Sequence, residues 1–163
     1  MKVAILTASD QGARGAREDR SAALIKEMVA SIEGEVVAYD VVPDEKDELV
    51  AKLIAYSDHQ QVDLVLTTGG TGLAPRDVTP EATLEVIDRL IPGIPEAMRA
   101  AGLKHTPRAM LSRAVAGSRG KTLIINLPGS PRAVRENLEV ILPALPHALE
   151  ILQGRGGECA RQE

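Results

Sequence analysis

The pattern of apolar and polar positions divides the chain into short apolar runs and longer amphipathic segments. The apolar run at residues 3–8 predicts a buried strand, and the segments at residues 35–42, 63–68 and 121–127 predict three further strands. The segments between them repeat apolar residues every three or four positions, which predicts helices that bury one face. Because strands and helices alternate, we expect right-handed βαβ units, a mostly parallel central sheet and a three-layer α/β/α sandwich.

Capping residues set the limits of one helix in the middle of the chain. Thr79 followed by Pro80 is typical of a helix start, because threonine caps the first turn and proline fits the first helical position. The apolar spacing predicts that this helix continues to residue 91, where Pro-Gly would end it. A further short helix is predicted at residues 94–104.

The remaining segments define the predicted domain. A chain of 163 residues fits one domain, which we place at residues 1–152, and the prolines within its last helix predict kinks. The polar, glycine-containing residues 153–163 predict a flexible tail. We expect a loop at residues 11–20 and irregular structure at residues 106–120.

The composition argues against several classes of function. The chain has no Phe or Trp and only two Tyr, so its core is aliphatic and it lacks the stacking platforms of single-stranded nucleic-acid binders. A net charge of −4 disfavours binding to nucleic acid or to an anionic membrane. No apolar run reaches the ~18 residues of a membrane span, and the N-terminus is not typical of a signal peptide. Cys159 is the single cysteine, so we expect no internal disulfide and a cytoplasmic protein.

A glycine-rich loop follows the third predicted strand. It contains Gly69, Gly70, Thr71 and Gly72 and is too unlike a Walker A or G-x-G-x-x-G motif to be assigned to either. Glycines let backbone N–H groups approach phosphate oxygens, and the start of a helix beyond adds partial positive charge. The alternative is a tight turn without a ligand. In open α/β sheets ligands bind beyond the carboxyl ends of the strands, where four loops are predicted to meet: residues 7–10, 43–45, 69–72 and 126–131.

Two aspartates follow strands at this predicted edge. Asp77 lies between the glycine loop and its helix, and Asp44 follows the second strand. Carboxylates are the usual protein ligands of the hard cation that phosphoryl and nucleotidyl transfer require, so the pair at one predicted edge indicates a site for such a cation. Taken singly, each aspartate is also explained as a helix cap or a solvated turn residue.

Arginines and one proline-glycine turn add possible anion contacts. Arg76, Arg108 and Arg113 are candidate partners for phosphate, although any one of them is also explained as a solvated side chain. Residues 128–131 precede a helix and predict either an anion cradle or an ordinary turn. The histidines show no metal-ligand spacing.

Several longer motifs resemble one known family. They are LTTGGTG at 66–72, RDVTPEAT at 76–83, PGIPEAMR at 92–99, MLSR at 110–113 and INLPGSPRAV at 125–134. Together they resemble the MogA and MoaB proteins of molybdenum-cofactor biosynthesis, and ILPALPHALEIL at 141–152 extends the resemblance to the N-terminal domain of gephyrin. The match covers nearly the whole chain in order, with only the tail outside it.

The resemblance implies a molybdopterin adenylyltransferase. Such an enzyme binds molybdopterin and Mg-ATP, transfers AMP to the terminal phosphate of the pterin and releases pyrophosphate. The family fold is a three-layer α/β domain, commonly a homotrimer, and its product is handed to a molybdenum-insertion protein.

The resemblance also assigns candidate residues. The two functionally important aspartates of the family match Asp44 and Asp77, as catalytic residues and Mg²⁺ ligands. The walls of the ligand site match the glycine loop, the LSR segment and the NLPGSP turn. The residues of these walls are Gly69, Gly70, Thr71, Gly72, Ser112, Arg113, Asn126, Pro128, Gly129 and Ser130.

Three alternatives remain open on the sequence. The first is a non-catalytic, MoaB-like paralogue that binds pterin, against which the presence of both aspartates argues. The second is a trimeric scaffold or binding module, which the absence of a linker or second domain disfavours. The third is a nucleotide hydrolase of the same fold, in which water replaces the pterin phosphate as acceptor.

Overall fold

A computed structural model of the chain describes residues 1–155 and contains one six-stranded sheet. Its strands lie in the order β2-β1-β3-β6-β5-β4. β1, β2, β3 and β6 are parallel, whereas β5 is antiparallel to both of its neighbours. The strands are β1 Lys2–Ala8, β2 Glu35–Val42, β3 Leu64–Thr68, β4 Arg89–Leu90, β5 Ala116–Arg119 and β6 Thr122–Leu127.

Helices cover both faces of the sheet. They are α1 Asp10–Ala13, α2 Arg20–Val29, α3 Lys46–Ile54, α4 Thr79–Val86, α5 Gly93–Gly102, α6 Pro131–Ile141 and α7 Leu145–Leu152. The apolar faces of α2, α5, α6 and α7 pack in one core cluster, and those of α3 and α4 pack in the other. The predicted three-layer sandwich is therefore confirmed. None of the helices in the described part of the chain combines the length and hydropathy of a bilayer crossing.

The register of the parallel strands aligns their carboxyl ends. Thr7 of β1 is paired with Thr68 of β3, which in turn is paired with Leu127 of β6. The strands are buried on both faces by the helical layers, which explains why their sequences are continuous apolar runs. The loops after β1, β3 and β6 consequently leave the sheet side by side.

The helix that begins at Thr79 is shorter than predicted. It ends at Val86, and Ile87 is already extended, with φ −76° and ψ 145°. The chain then forms β4, in which Leu90 is 54% exposed. Gly117 of β5 makes this pairing possible, because a β-carbon there would lie 2.6 Å from the carbonyl oxygen of Arg89. The local apolar spacing was therefore overruled by pairing with a strand that is distant in sequence.

The segment at residues 106–120, predicted to be irregular, is more ordered than expected. It contains a 3₁₀ helix at Pro107–Leu111 and then β5. The loop predicted at residues 11–20 also begins within a short helix, α1. The predicted break in the last helix is confirmed, since a 3₁₀ turn at Leu142–Ala144 separates α6 from α7.

The predicted tail starts within the described residues. The side chain of Gln153 donates a hydrogen bond to Asp63, so the chain beyond α7 is first held against the body of the domain. Residues 156–163, including Cys159, lie outside the described residues.

Candidate active site

Glycines in left-handed conformations fold back the loop that follows β3. Gly69 has φ 90° and Gly70 has φ 65°, a region that other residues adopt only at a cost. A β-carbon on Gly69 would lie 2.4 Å from the carbonyl oxygen of Ala8. A β-carbon on Gly70 would lie 2.4 Å from Thr79 Oγ1 and 3.3 Å from Asp44 Oδ1. The bare backbone therefore lets the end of β1, the start of α4 and an acidic side chain close round this loop.

Aspartates from three separate segments meet beside the loop. The backbone N–H of Asp10 donates to Asp44 Oδ2 at 3.0 Å, and the backbone N–H of Asp44 donates to Asp10 Oδ1 at 3.0 Å. Asp77 lies against Gly72, where an added β-carbon would be 2.8 Å from Asp77 Oδ2. The structure thus brings Asp44 and Asp77 beside the glycine loop, close enough for their charges to interact. It adds Asp10, from the predicted edge loop at residues 7–10, which the sequence analysis did not name as a site residue.

The surroundings of Asp10 and Asp44 shift the pKa values of their carboxyl groups in opposite directions. The pKa of Asp44 is raised, mainly by burial and further by the negative charges of Asp10 and Asp77. The hydrogen bond from the Asp10 amide lowers it, but by less. Hydrogen bonds from Arg76 are the main cause that lowers the pKa of Asp10 to about 2. The cluster therefore holds one firmly ionised acid beside one whose negative charge is disfavoured, which is an arrangement that an added cation would relieve.

Arg76 neutralises the outer side of this cluster. Its guanidinium makes two hydrogen bonds to Asp10, from Nε at 2.6 Å and from Nη2 at 2.9 Å. Nη2 also donates to Glu45 Oε1 at 2.9 Å. Of the arginines proposed as anion partners, Arg76 is therefore occupied by carboxylates, and Arg108 is exposed on the 3₁₀ helix.

Arg113 holds the glycine loop from behind. Its Nε donates to the carbonyl oxygen of Gly72 at 2.7 Å, and Nη2 donates to the carbonyl oxygen of Asp77 at 2.6 Å. It also forms an ion pair with Glu81. With these donors engaged inside the protein, Arg113 fixes the position of the loop and of the Asp77 backbone.

A cavity of about 780 Å³ opens beside Gly69, on the side of the sheet that α2 and α6 cover. Its volume suits a small organic ligand. Three of its walls come from β1 and the loop after it, the start of α2, and the start of α6. Its lining residues are Thr7, Ala8, Ser9, Gly12, Arg17, Glu18, Asp19, Arg20, Ser21, Tyr39, Val41, Thr68, Gly69, Gly129, Ser130 and Pro131.

The turn before α6 contributes one wall of this cavity. Ser130 caps the helix by accepting a hydrogen bond from the Ala133 amide. The Thr68 hydroxyl donates to the carbonyl oxygen of Pro128 at 2.7 Å, and the Ser21 hydroxyl donates to that of Gly129 at 2.8 Å. These bonds join the ends of β3, β6 and α2, so the cavity wall is rigidly placed.

Two of the sequence-predicted wall residues lie behind the site. Asn126 is fully buried, and its amide bonds to the Thr67 and Thr83 hydroxyls at 3.0 and 2.8 Å. Thr71 is 6% exposed, and its carbonyl accepts from the Arg113 amide. The half-buried Ser112 accepts a weak hydrogen bond, at 3.4 Å, from the Ala114 amide. Asn126 thus links β6 to β3 and α4, and its placement gives it no surface toward a ligand.

Several cavity residues were missed by the sequence analysis. Asp19, Ser21 and Tyr39 line the cavity, yet they belong to a predicted loop, a helix start and a strand. These three residues lie beside the site only because α2 and β2 flank β1. Asp10 does not line the cavity, but its position directly after β1, at the edge where ligands are expected, was a signal for the aspartate cluster.

The donor set at the aspartates fits a metal that arrives with a polyphosphate. Within residues 1–155, no group of three or more His, Cys, Asp or Glu side chains is arranged to hold a metal ion. Mg²⁺ is commonly held by one or two carboxylates together with substrate phosphates. Asp44 and Asp77 supply such carboxylates. Thr79 Oγ1, which is buried with no hydrogen-bond partner in the described chain, lies beside Gly70 next to them.

Replacing Asp44 by asparagine is expected to increase stability at neutral pH. A carboxyl group whose pKa is raised by folding favours the folded state when protonated and opposes it when ionised, so the wild type carries an unfavourable charge at pH 7. Asparagine removes that charge and keeps an acceptor for the Asp10 amide. The gain should vanish as the pH falls below about 3.9, the pKa of an unfolded aspartate.

Urea unfolding of the wild type and Asp44→Asn across this pH range, without divalent cations, measures the effect. Asp47→Asn, an exposed change three positions away, is the matched control. A variant that is less stable than the wild type at pH 7 would show that the Asp44 charge is favourable in the fold.

These features define an open α/β domain whose candidate ligand site lies at the carboxyl ends of parallel strands. The family model described as "Probable molybdopterin binding domain" matches residues 4–147. The molybdopterin adenylyltransferase of Helicobacter pylori strain J99 is 45% identical over 154 residues, which cover 93% of this chain and 88% of that protein. The chain belongs to this molybdopterin-binding family.

A solved structure and a longer relative agree with this assignment. The crystal structure titled as the molybdopterin biosynthesis enzyme MoaB of Thermus thermophilus has a TM-score of 0.89 and 55% sequence identity, covering 94% of this chain and 96% of that one. Gephyrin of Dictyostelium discoideum is 45% identical over 163 residues, but the match covers 94% of this chain and 23% of that protein. The resemblance found in the sequence motifs is confirmed.

Proposed function

We propose that the chain is a molybdopterin adenylyltransferase, which transfers AMP from Mg-ATP to the terminal phosphate of molybdopterin in molybdenum-cofactor biosynthesis. Curated relatives at 35–45% identity over most of the chain carry this name. The observation that carries the proposal structurally is the convergence of Asp44 and Asp77 on a glycine loop beside a cavity of about 780 Å³. That arrangement joins a place for a cation to a place for an organic ligand.

The chemistry requires positioning more than a protein nucleophile. An oxygen of the pterin phosphate attacks the α-phosphorus of ATP, the bond from that phosphorus to the bridging oxygen breaks, and pyrophosphate leaves with the electron pair. Both reactants are polyanions, so the protein must offset their repulsion and align them. We assign this task to Asp44 and Asp77 as holders of Mg²⁺, which neutralises phosphate charge when bound, and to the backbone amides of the glycine loop.

The protein is proposed to bind its ligands with walls that the structure keeps rigid. At the edge of the sheet where the parallel strands end, these walls present only backbone or a short side chain. The residues are Gly69, Gly70, Gly72, Gly129 and Ser130. Arg113 is assigned to holding the loop, because its donors are engaged by Gly72, Asp77 and Glu81. These residues bind and orient, whereas no serine or cysteine is required as an attacking group.

An assay with purified substrates tests the proposal. The protein is incubated with molybdopterin, ATP and Mg²⁺, and adenylylated molybdopterin and pyrophosphate are quantified. Formation of both in equal amounts is expected. ATP consumption that is independent of pterin would instead indicate a hydrolase.

The second candidate is a MoaB-like protein that binds pterin without transferring AMP. It is kept because solved relatives titled MoaB, including the one at 55% identity, are named for molybdopterin biosynthesis and not for adenylyl transfer. Saturable pterin binding without adduct formation in the same assay would support this candidate against the transferase.

We also propose a cytoplasmic homotrimer that passes its product to a molybdenum-insertion protein. Large apolar side chains near the site support self-association, since Leu73, Met110 and Leu111 are 65%, 62% and 50% exposed in the isolated chain. Light scattering is expected to give three times the chain mass of 17.3 kDa. A mass equal to one chain at micromolar concentration would refute the trimer.

A further inference from the structure

Tyr39 is the only Phe, Tyr or Trp side chain at the surface of the described chain. The sequence contains two tyrosines and neither Phe nor Trp. Tyr56 is 0% exposed, whereas Tyr39 is 47% exposed and lines the cavity of about 780 Å³. Exposure of so much ring in a chain that otherwise avoids aromatic residues calls for a partner.

The ring of Tyr39 is anchored by Asp19. The Tyr39 hydroxyl donates to Asp19 Oδ2 at 2.8 Å, and the Thr7 hydroxyl donates to the same oxygen at 2.5 Å. Asp19 Oδ1 accepts from the Ala22 amide at 2.9 Å, which caps α2. Burial, followed by the hydrogen bond to Asp19, raises the pKa of Tyr39 to about 12, so the phenol stays neutral. The ring is thereby fixed between β1, β2 and the start of α2.

The chemistry beside the ring suits an amino-bearing heterocycle. A carboxylate offers about four acceptor positions, and three of those on Asp19 are used by protein donors. One acceptor position therefore remains at a residue that lines the cavity together with the ring. The rest of the lining consists of small, aliphatic or charged side chains, which offer no second aromatic face.

A neighbouring hollow is less suited to binding such a ligand. Tyr39 and Asp19 also border a hollow of about 370 Å³ whose other lining residues are mostly aliphatic, among them Ile5 and Val36. The larger cavity is lined by Gly69 of the glycine loop and by the turn before α6, and the glycine loop contacts the aspartates. The smaller hollow is lined by neither segment. A ligand that must bring a phosphate to the glycine loop is therefore expected in the larger cavity.

We propose that Tyr39, held by Asp19, is the specificity-determining wall against which the fused nitrogen heterocycle of one substrate stacks. This inference rests on the proposed function, whose two substrates, ATP and molybdopterin, each carry a flat bicyclic heterocycle with an exocyclic amino group. Stacking supplies affinity without taking part in the reaction, so Tyr39 acts on substrate binding.

Binding measurements on three substitutions test this role. Tyr39→Ala is expected to weaken binding of one substrate by about 5- to 100-fold in equilibrium measurements, because base–aromatic stacking contributes affinity of that order. In turnover the loss should appear in KM, with kcat little changed. Tyr39→Phe keeps the ring and should retain most of the affinity. Val37→Ala, another exposed position on β2 that is absent from the larger cavity, is the matched control.

Tyr39→Trp supplies a spectroscopic signal, because it would be the only tryptophan in the protein. If adenine stacks on this wall, Mg-ATP should change the tryptophan emission, and Tyr39→Ala should weaken ATP binding and spare the pterin. If the pterin stacks there, only pterin binding should weaken.

The inference is overturned if neither substrate binds more weakly to Tyr39→Ala than to Val37→Ala. It is also overturned if Tyr39→Phe loses as much affinity as Tyr39→Ala, since the hydrogen bond to Asp19 would then be the relevant feature. Thermal unfolding of each variant separates loss of fold from loss of binding. Both substrates are measured by direct binding, so this test remains decisive even where the transfer assay finds no turnover.

Discussion

Asp77→Asn is expected to lower kcat/KM for adenylyl transfer by about 100- to 1,000-fold, the range found when one preorganised electrostatic contact to a transition state is removed. Asp77 follows the glycine loop and lies against Gly72. Burial is the main cause that raises the pKa of Asp44, and the charges of Asp10 and Asp77 add to it, so the carboxylates of Asp77 and Asp44 interact. Removing this charge takes away half of the carboxylate pair proposed to hold Mg²⁺.

The substitution should leave the fold intact. Asp77 Oδ2 accepts a hydrogen bond from the Ala74 amide at 2.9 Å, and an asparagine oxygen can accept the same bond. We therefore expect the free energy of unfolding to change by no more than about 1 kcal/mol. Higher Mg²⁺ should recover part of the lost activity, which a purely structural defect would not allow.

Steady-state kinetics at several Mg²⁺ concentrations, with molybdopterin and ATP, measure the effect. Asp47→Asn removes an exposed acid from the first turn of α3 and should retain wild-type activity. Wild-type turnover in Asp77→Asn would remove the acid pair from the proposed mechanism. A family member that only binds pterin would show no turnover in the wild type either, which distinguishes the two failures.

Gly69→Ala is expected to destabilise the protein by about 3 kcal/mol or more and to abolish ligand binding. A left-handed conformation costs a residue with a β-carbon roughly 1–2 kcal/mol, and Gly69 has φ 90°. In addition, the new β-carbon would lie 2.4 Å from the carbonyl oxygen of Ala8. Because that neighbour is backbone within the central sheet, the loop must move instead.

Gly120→Ala separates the cost of the left-handed conformation from the cost of the contact with Ala8. Gly120 has φ 54°, so alanine there is also strained, but an added β-carbon meets nothing within 4 Å. Its expected cost is therefore about 1–2 kcal/mol, from conformation alone. Urea unfolding of both variants gives the difference, which we assign to the contact with Ala8. Equal losses in the two variants would show that the loop after β3 yields without cost.

The class of fold was readable from local pattern alone. Strands buried on both faces require continuous apolar runs, and the sequence shows them where β1, β3 and β6 occur. β2, at the edge of the sheet, was readable from its valine-rich sequence. The helix that starts at Thr79 was readable because Pro80 fits a first turn. The predicted cap is wrong, since Val78 is the capping residue and the Thr79 hydroxyl makes no capping hydrogen bond. These features depend on neighbours within a few positions, so the sequence by itself determines them.

Elements that depend on distant partners were not readable in this way. β4 replaces the predicted end of a helix because its partner β5, with Gly117 at the contact, lies almost thirty positions later. The motif assigns Asn126 to a binding wall, but in the structure this residue is buried and its side-chain amide donates to the hydroxyls of Thr67 and Thr83. Burial and pairing of this kind are properties of the assembled core.

The candidate site also combines features that the sequence determines with features that only the tertiary structure decides. The sequence determined that a glycine loop and the acids Asp44 and Asp77 would follow strands, because residue type and order are local facts. The sequence also placed the loop at residues 7–10 at this edge. Only the tertiary structure decided that Asp10 and Asp44 exchange backbone-to-carboxylate hydrogen bonds, that Arg113 holds the loop, and that Tyr39 lines the same cavity as Gly69. Strand order sets these neighbours, and that order is fixed by packing of the whole sheet, which no short stretch of sequence encodes.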